Sequence, residues 1–302
     1  MKSLLVFPAQ WYPTQPYLST PYLCSYLKEK SWDVTQRDFN IESYDHFLSP
    51  TVLEKIVSKI ESRLTELKSQ KSFSFKEKSL MDVMATGVKF APTIISGVND
   101  AKKVMRTPEL FFDFNTYKQA DMIIKSALKL VSDAYSPSIL TLSTFESGTR
   151  AEESTQRSTE FARNKNINPF IDLYDEVLLP SEPWENYSLV GISIVGISQI
   201  LPGLTLARLL KEKYSHLHIT LGGPIFSVNS KQLLGHPEFF QEFCDSIVTF
   251  EGEEPLHRLL TTLKNGSTLK EVPNLLFYEN GVVETNEERV ELRFEEMPPP
   301  TF

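Results

Sequence analysis

Cysteine is nearly absent from this 302-residue chain: Cys24 and Cys244 are its only two, and they stand far apart. Two isolated thiols build neither a disulfide framework nor a Cys-rich metal site, and they fit a reducing, cytoplasmic setting. Positive charge is also in short supply. Lysine and arginine number 31 against 39 acids, a formal net charge of −8, so no broad basic surface is expected to neutralise a phosphate backbone and nucleic acid is not an expected partner. Long apolar runs are missing too. Pro8 stops the N-terminal run short of a signal-peptide core. The run over 189–201 is interrupted by Ser193, Ser198 and Gln199, well short of the roughly 20 residues a membrane span requires, so no membrane association is expected. The phosphate-loop pattern GxxxxGK, the dinucleotide pattern GxGxxG and the nucleophile-elbow pattern GxSxG are all lacking. His46, His216, His218, His236 and His257 show no metal-ligand spacing.

What is present is a globular composition, 41% hydrophobic and 23% charged, which predicts a packed core. The apolar run at 3–7, broken by Pro8, reads as a strand buried on both faces. A helix follows from Thr20 and Pro21, with Tyr22, Leu23, Tyr26 and Leu27 on one face, and 33–39 reads as a second strand, so that 1–42 forms a first βαβ unit. Residues 43–185 show helical periodicity and read as a mostly helical insertion. Within it, Pro92 is expected to kink or divide the helical stretch 80–105, and 138–144 alternates as a short strand does. Over 186–270 strands are expected at 189–196, 218–221 and 246–250, with helices at 202–214, 231–243 and 254–264 between and after them. This alternation implies a doubly wound parallel sheet of flavodoxin-like order. In 271–302, two strand-like runs flank Glu279-Asn280-Gly281, a β-hairpin signature, and Met297-Pro298-Pro299-Pro300-Thr301-Phe302 reads as a linker.

Ligands of such sheets bind beyond the carboxyl ends of the strands. The candidate contacts are therefore Pro8, Gln10 and Trp11 after the first strand, Ser193, Ser198 and Gln199 at the third, Gly222, Gly223 and Pro224 after the fourth, and Glu251 and Gly252 after the fifth. The glycine pair permits positive φ and close approach of a ligand, and it equally suits a tight turn. Local hydrogen bonding accounts for each of Ser193, Ser198 and Gln199 taken alone. Acids at 251, 253 and 254 suit the start of a helix, with ligand contact as the alternative, and Gly252 is the better ligand neighbour of that loop. Trp11, Tyr12 and Tyr17 either pack on their own domain or meet a flat ligand. No nucleophile or acid–base pair stands out, so no catalytic residue and no protein metal ligand is assigned.

Four segments carry a resemblance: LLVFPAQWYPTQPYLSTPYLCSYLKEKSWDV, LVGISIVGISQILPGLTLARLLKEK, ITLGGPIFS and DSIVTFEGEEPLHRLL. Together they resemble the B12-binding domain that precedes the catalytic barrel in cobalamin-dependent radical SAM enzymes of the ribosomal-peptide maturation type. FFDFNTYKQADMIIKSALKLVSDAYSPSIL resembles the helical insertion of that type. The resemblance implies a Rossmann-like B12-binding fold with cobalamin across the carboxyl edge of the sheet, its nucleotide tail entering near Ser193 and Gly222-Gly223. The first loop, PAQWYPTQPYL, lacks the Asp-x-His-x-x-Gly motif that gives cobalt a histidine, so the implied state is base-off without a protein histidine ligand. A radical SAM cluster needs three cysteines in CxxxCxxC. No iron-sulfur cluster is therefore expected in this chain, which is not a self-sufficient radical SAM enzyme but would serve a methyltransferase-type system. The implied partners are a radical SAM domain or protein in trans and a peptide substrate, and residues 296–302 resemble the linker entering the barrel. Two other readings stand beside this one: an interaction protein of the same fold that has lost the cofactor, and a flavodoxin-like enzyme using a flavin or a nucleotide sugar.

Overall fold

Strands made of unbroken apolar residues need cover on both faces, and the computed structural model, which describes residues 1–70, 72–286, 290 and 297–301, provides it. The chain runs β1 (Lys2–Phe7), α1 (Ser19–Glu29), β2 (Asp33–Asp38), α2 (Phe39–Phe47), α3 (Pro50–Lys68), α4 (Phe75–Arg106), α5 (Pro108–Phe111) and α6 (Phe114–Ala134). A small hairpin of β3 (Ile139–Leu140) and β4 (Phe145–Glu146) comes next, then α7 (Thr155–Arg163), α8 (Phe170–Leu173), β5 (Leu189–Ser193), α9 (Ile197–Lys213) and β6 (His218–Gly222). The last elements are α10 (Pro224–Leu233), α11 (Pro237–Phe243), β7 (Ser246–Val248), α12 (Glu253–Asn265), β8 (Leu275–Glu279) and β9 (Val282–Thr285). Among the described residues no helix is long and apolar enough to cross a membrane.

Two compact units emerge, one comprising Met1–Asn40, Ala151–Arg163 and Phe170–Phe302, the other Ile41–Arg150 and Asn164–Pro169. The first is built on a seven-stranded sheet of order β2-β1-β5-β6-β7-β8-β9. Its first five strands are parallel, in the flavodoxin-like arrangement, and β8 and β9 are antiparallel. The strand order reverses between β1 and β5, which places the switch point of the fold at their carboxyl ends. Leu5, Cys24, Leu27, Val248, Leu256 and Leu260 belong to the core between one sheet face and α1 and α12. Full burial of each leucine contributes roughly 1.5–3 kcal/mol. Burial pushes the Cys24 thiol up to about 11 against the pull of Lys28, which leaves it an inert core residue. Residues 151–163 and 170–185, helical in the sequence reading, pack with this unit: α7 and α8 lie on α9, and Phe161 and Phe170 are buried.

The second unit is a helical layer. Leu53, Ile56 and Ile60 of α3, Met84, Ile94 and Val98 of α4, and Ile124, Leu128 and Val131 of α6 are its buried stripe. Pro92 does not divide the segment as expected. α4 runs unbroken from Phe75 to Arg106 with Pro92 inside it, because Ala91 and Ile94 on either side are held in the core and packing outweighs the lost backbone bond.

Three further expectations change. The helix expected over 231–243 is two helices, α10 and α11. His236, which precedes Pro237, takes φ −126° and ψ 65°, outside the helical region as a residue before proline tends to be. The helix expected from 202 begins at Ile197, where Gln199 Oε1 accepts the N–H groups of Val195 and Gly196. The strands expected to reach 196 and 250 end at Ser193 and Val248. At the hairpin, Asn280 and Gly281 both take positive φ, 51° and 89°, as a tight two-residue turn between β8 and β9 requires. Of the segment read as a linker, residues 297–301 lie along α1 and β2: Thr301 N donates to Pro21 O, Ser25 Oγ to Pro299 O, and Gln36 Nε2 to Thr301 O. Residues 296 and 302 lie outside the described residues.

Candidate functional site

A cavity of about 770 Å³ extends from the loops beyond the carboxyl ends of β5, β6 and β7 down between α1 and α12. This is ample for a drug-sized or larger ligand group. Strand residues Leu5, Gly191, Ser193, Thr220, Gly222 and Val248 contribute to its sheet side, and Tyr22, Leu23 and Leu256 to its helix side. Tyr17, Met297 and Phe250 also line it. The wall is mostly apolar, and its few polar groups are held in place. Ser193 Oγ lies 2.9 Å from Ser19 Oγ. Ser227 Oγ accepts from Phe250 N at 2.7 Å. Thr220 Oγ1 accepts from Ser246 Oγ at 3.0 Å, and Ser246 Oγ is 2.8 Å from His218 Nε2. Burial lowers the His218 imidazole, with Asp245 pulling the other way, so the ring is neutral beneath the cavity floor.

Glycine shapes this wall in distinct ways. At Gly222 an added Cβ would find only Val248 O, at 3.7 Å, so packing leaves room there. At Gly191 it would come 2.7 Å from Leu5 Cδ2, so a neighbour would have to move. Gly223 has φ +123°, and a Cβ would fall 2.0 Å from Ile194 O. The expectation that Gly223 keeps space open for a ligand is therefore replaced by a backbone reason: the chain crosses itself too closely there for any side chain.

Of the residues singled out from sequence, Ser193, Gly222, Gly223, Pro224, Glu251 and Gly252 all line the cavity. Pro8, Gln10, Trp11, Ser198 and Gln199 are not in its wall. Gln199 braces two loops, its amide bonding Val195 N and Pro8 O. Asn40 Oδ1 accepts the N–H groups of Gln10 and Trp11, which fixes Gln10 at φ 83°. Trp11 packs edge-on against Tyr17, whose ring stacks on Phe7, so the aromatic loop largely satisfies itself. Gly191 and Thr220 were not singled out from sequence, and Leu23 and Glu253 were read there chiefly as parts of helices. A glycine inside the run LVGIS was the available signal, since a strand-interior glycine often marks a close approach.

No family model matches the chain, and no curated protein matches it. Among solved structures it is similar to TsrM from Kitasatospora setae, a radical S-adenosylmethionine methyltransferase with cobalamin and a 4Fe-4S cluster bound. That likeness has 12% identity and a TM-score of 0.40, and covers 99% of this chain and 31% of that one.

Proposed function

We propose that this chain is the cobalamin-binding module of a B12-dependent radical SAM system, holding cobalamin base-off without a protein histidine ligand. The observation that carries the reading is the cavity under the carboxyl edge, lined on its sheet side by a glycine, Gly222, whose missing side chain packing does not require. A base-off tail ends in a flat, largely apolar benzimidazole. Such a group suits a slot between Gly222 and Val248 on the sheet side and Leu23 and Leu256 on the helix side, with the Ser193 hydroxyl beside it. Pro224, Glu251 and Gly252 would then stand near the corrin. Cobalamin, when bound, supplies methyl-transfer chemistry at its cobalt. The histidines are engaged elsewhere: His257 with Trp32, His216 with the carbonyl of Trp184, His218 with Ser246, His236 with Glu238, and His46 edge-on to Phe47. The resemblance of the four sequence segments adds a radical SAM domain or protein in trans as partner, and a peptide as substrate.

The test is to incubate purified protein with hydroxocobalamin, desalt it, and record the visible spectrum. About one equivalent of corrinoid should remain, and the cob(II)alamin form should show no nitrogen splitting from an axial imidazole in its paramagnetic resonance spectrum. A folded protein that retains no corrinoid would overturn the reading in favour of an interaction protein that shares the fold.

A further inference from the structure

Three acids stand together at the head of α12, and the fold treats them differently. Glu254 accepts from Tyr26 Oη at 2.9 Å and from Arg258 Nε at 2.8 Å. Burial alone would raise its carboxyl, but these hydrogen bonds outweigh it and hold the group below the ordinary value. Glu251 is exposed at the rim of the cavity. Glu253 is only 8% exposed and lines the cavity, yet no basic side chain or hydroxyl is paired with it among the described residues. Its carboxyl accepts only backbone N–H groups at the head of its own helix.

A buried carboxylate is costly without a donor or a counter-charge. Burial, followed by the charge of Glu251, pushes the Glu253 carboxyl above its ordinary value. The other titratable groups in the cavity wall are Tyr17 from the first loop and Tyr22 from α1. Beneath the floor, neutral His218 reaches the wall through Ser246 and Thr220. None of these supplies a cation. A carboxylate only accepts hydrogen bonds, and the backbone N–H groups leave it acceptor sites to spare, so a further partner would be a donor.

We infer that Glu253 is a specificity-determining residue of this cavity, whose carboxylate receives an N–H or O–H donor of the bound ligand. The inference rests on the cobalamin reading and deepens it, because cobalamin offers such donors in two places: the amide side chains of the corrin and the ribose hydroxyl of the tail.

Two variants and two corrinoids test it. Methylcobalamin affinity is measured across pH for the wild type, Glu253→Gln and Glu253→Asp, with apo melting temperatures recorded alongside. Wild-type affinity should fall as pH drops through the range just above the ordinary carboxylate value, as the carboxylate takes up a proton. Glu253→Gln should bind about ten-fold more weakly at mildly alkaline pH and show no such slope, the loss expected for a hydrogen bond to a charged group. Glu253→Asp should keep the slope. The sign for stability runs the opposite way. A carboxyl raised in the folded state stabilises below its unfolded value, and that contribution is lost as pH rises through the folded value. At mildly alkaline pH apo Glu253→Gln should therefore melt no lower than the wild type. Cobinamide, which keeps the corrin amides and lacks the tail, should retain the slope if an amide is the donor and lose it if the ribose hydroxyl is. Equal affinities and pH profiles for wild type and Glu253→Gln would overturn the inference while leaving cobalamin binding intact, and so would a lowered melting temperature with unchanged affinity. If the wild type itself binds no corrinoid, the cobalamin reading falls and this inference falls with it.

Discussion

In the helical unit, glycine lets helices approach: a Cβ at Gly87 of α4 would come 3.1 Å from Leu130 Cδ2 of α6, and one at Gly97 would come 3.5 Å from Ile123 Cδ1. In the sheet unit, a Cβ at Gly222 would instead meet only Val248 O, at 3.7 Å, among the described residues, while its neighbour Gly223 is locked by backbone. The two units also differ in charge, acids dominating the sheet unit and bases slightly outnumbering acids in the helical one. The contrast shows that a missing side chain indicates a ligand only when the space it leaves stays open. By that criterion the candidate site lies in the sheet unit, where the cavity is.

The largest expected effect would break this contrast inside a single dipeptide. Gly223→Ala forces a side chain to positive φ with its Cβ 2.0 Å from Ile194 O, and should destabilise the protein by about 4 kcal/mol or more, at the severe end for a point change. Gly222→Ala, with its nearest neighbour at 3.7 Å, should unfold in denaturant close to the wild type and lose corrinoid after desalting. If Gly222→Ala retained cobalamin fully, the slot would have to lie elsewhere in the cavity. If Gly223→Ala were as stable as wild type, the close crossing at Ile194 would be wrong.

The sequence exposed the parallel strands because burial on both faces demands unbroken apolar runs, and it exposed the hairpin because Asn280-Gly281 suits positive φ at consecutive residues. The break between α10 and α11 is equally visible at His236-Pro237, since a residue before proline tends to leave the helical region. The cavity wall was not legible to the same degree. Nothing in LVGIS says whether a strand-interior glycine faces a leucine or a void, and in fact Gly191 faces Leu5. Acids in a first helical turn look alike, since each suits the helix dipole. That Glu253 is buried in the cavity wall while Glu254 meets Tyr26 follows from the rotation of α12, which is set by the packing of Leu256, Leu259 and Leu260. Such a rotation is a property of the assembled core and of no local pattern.

A cut into the helical scaffold should have the next largest effect and should leave the site untouched. Ile60 is 0% exposed within the stripe of α3, so Ile60→Ala should cost about 2–5 kcal/mol, the usual range for such a truncation. Methylcobalamin affinity, measured where the variant remains folded, should equal that of the wild type. A change in affinity matching the loss of stability would mean that the two units do not divide the work as the glycines suggest.

The smallest expected effect lies at the start of α4, where Ser74 and Glu77 form a reciprocal cap: Ser74 Oγ accepts from Glu77 N at 3.2 Å, and Ser74 N donates to Glu77 Oε2 at 2.8 Å. Hydrogen bonds from the Ser74 side chain and backbone hold the Glu77 carboxyl below its ordinary value. A carboxyl lowered in the folded state contributes stability above its unfolded value, and this is lost as pH falls through the folded value. Ser74→Ala should lower the melting temperature by about 2–4 °C at neutral pH, as the loss of an exposed cap does in a domain of this size. The gap between wild type and variant should narrow once pH drops below the carboxylate range, because the wild type then gives up the part of the cap that depends on the charge of Glu77. The corrinoid affinity of this variant should match that of the wild type at every pH, in contrast to Glu253→Gln. A gap that stayed constant into acid would assign the cap to the bond between Glu77 N and Ser74 Oγ alone, with the carboxylate a bystander.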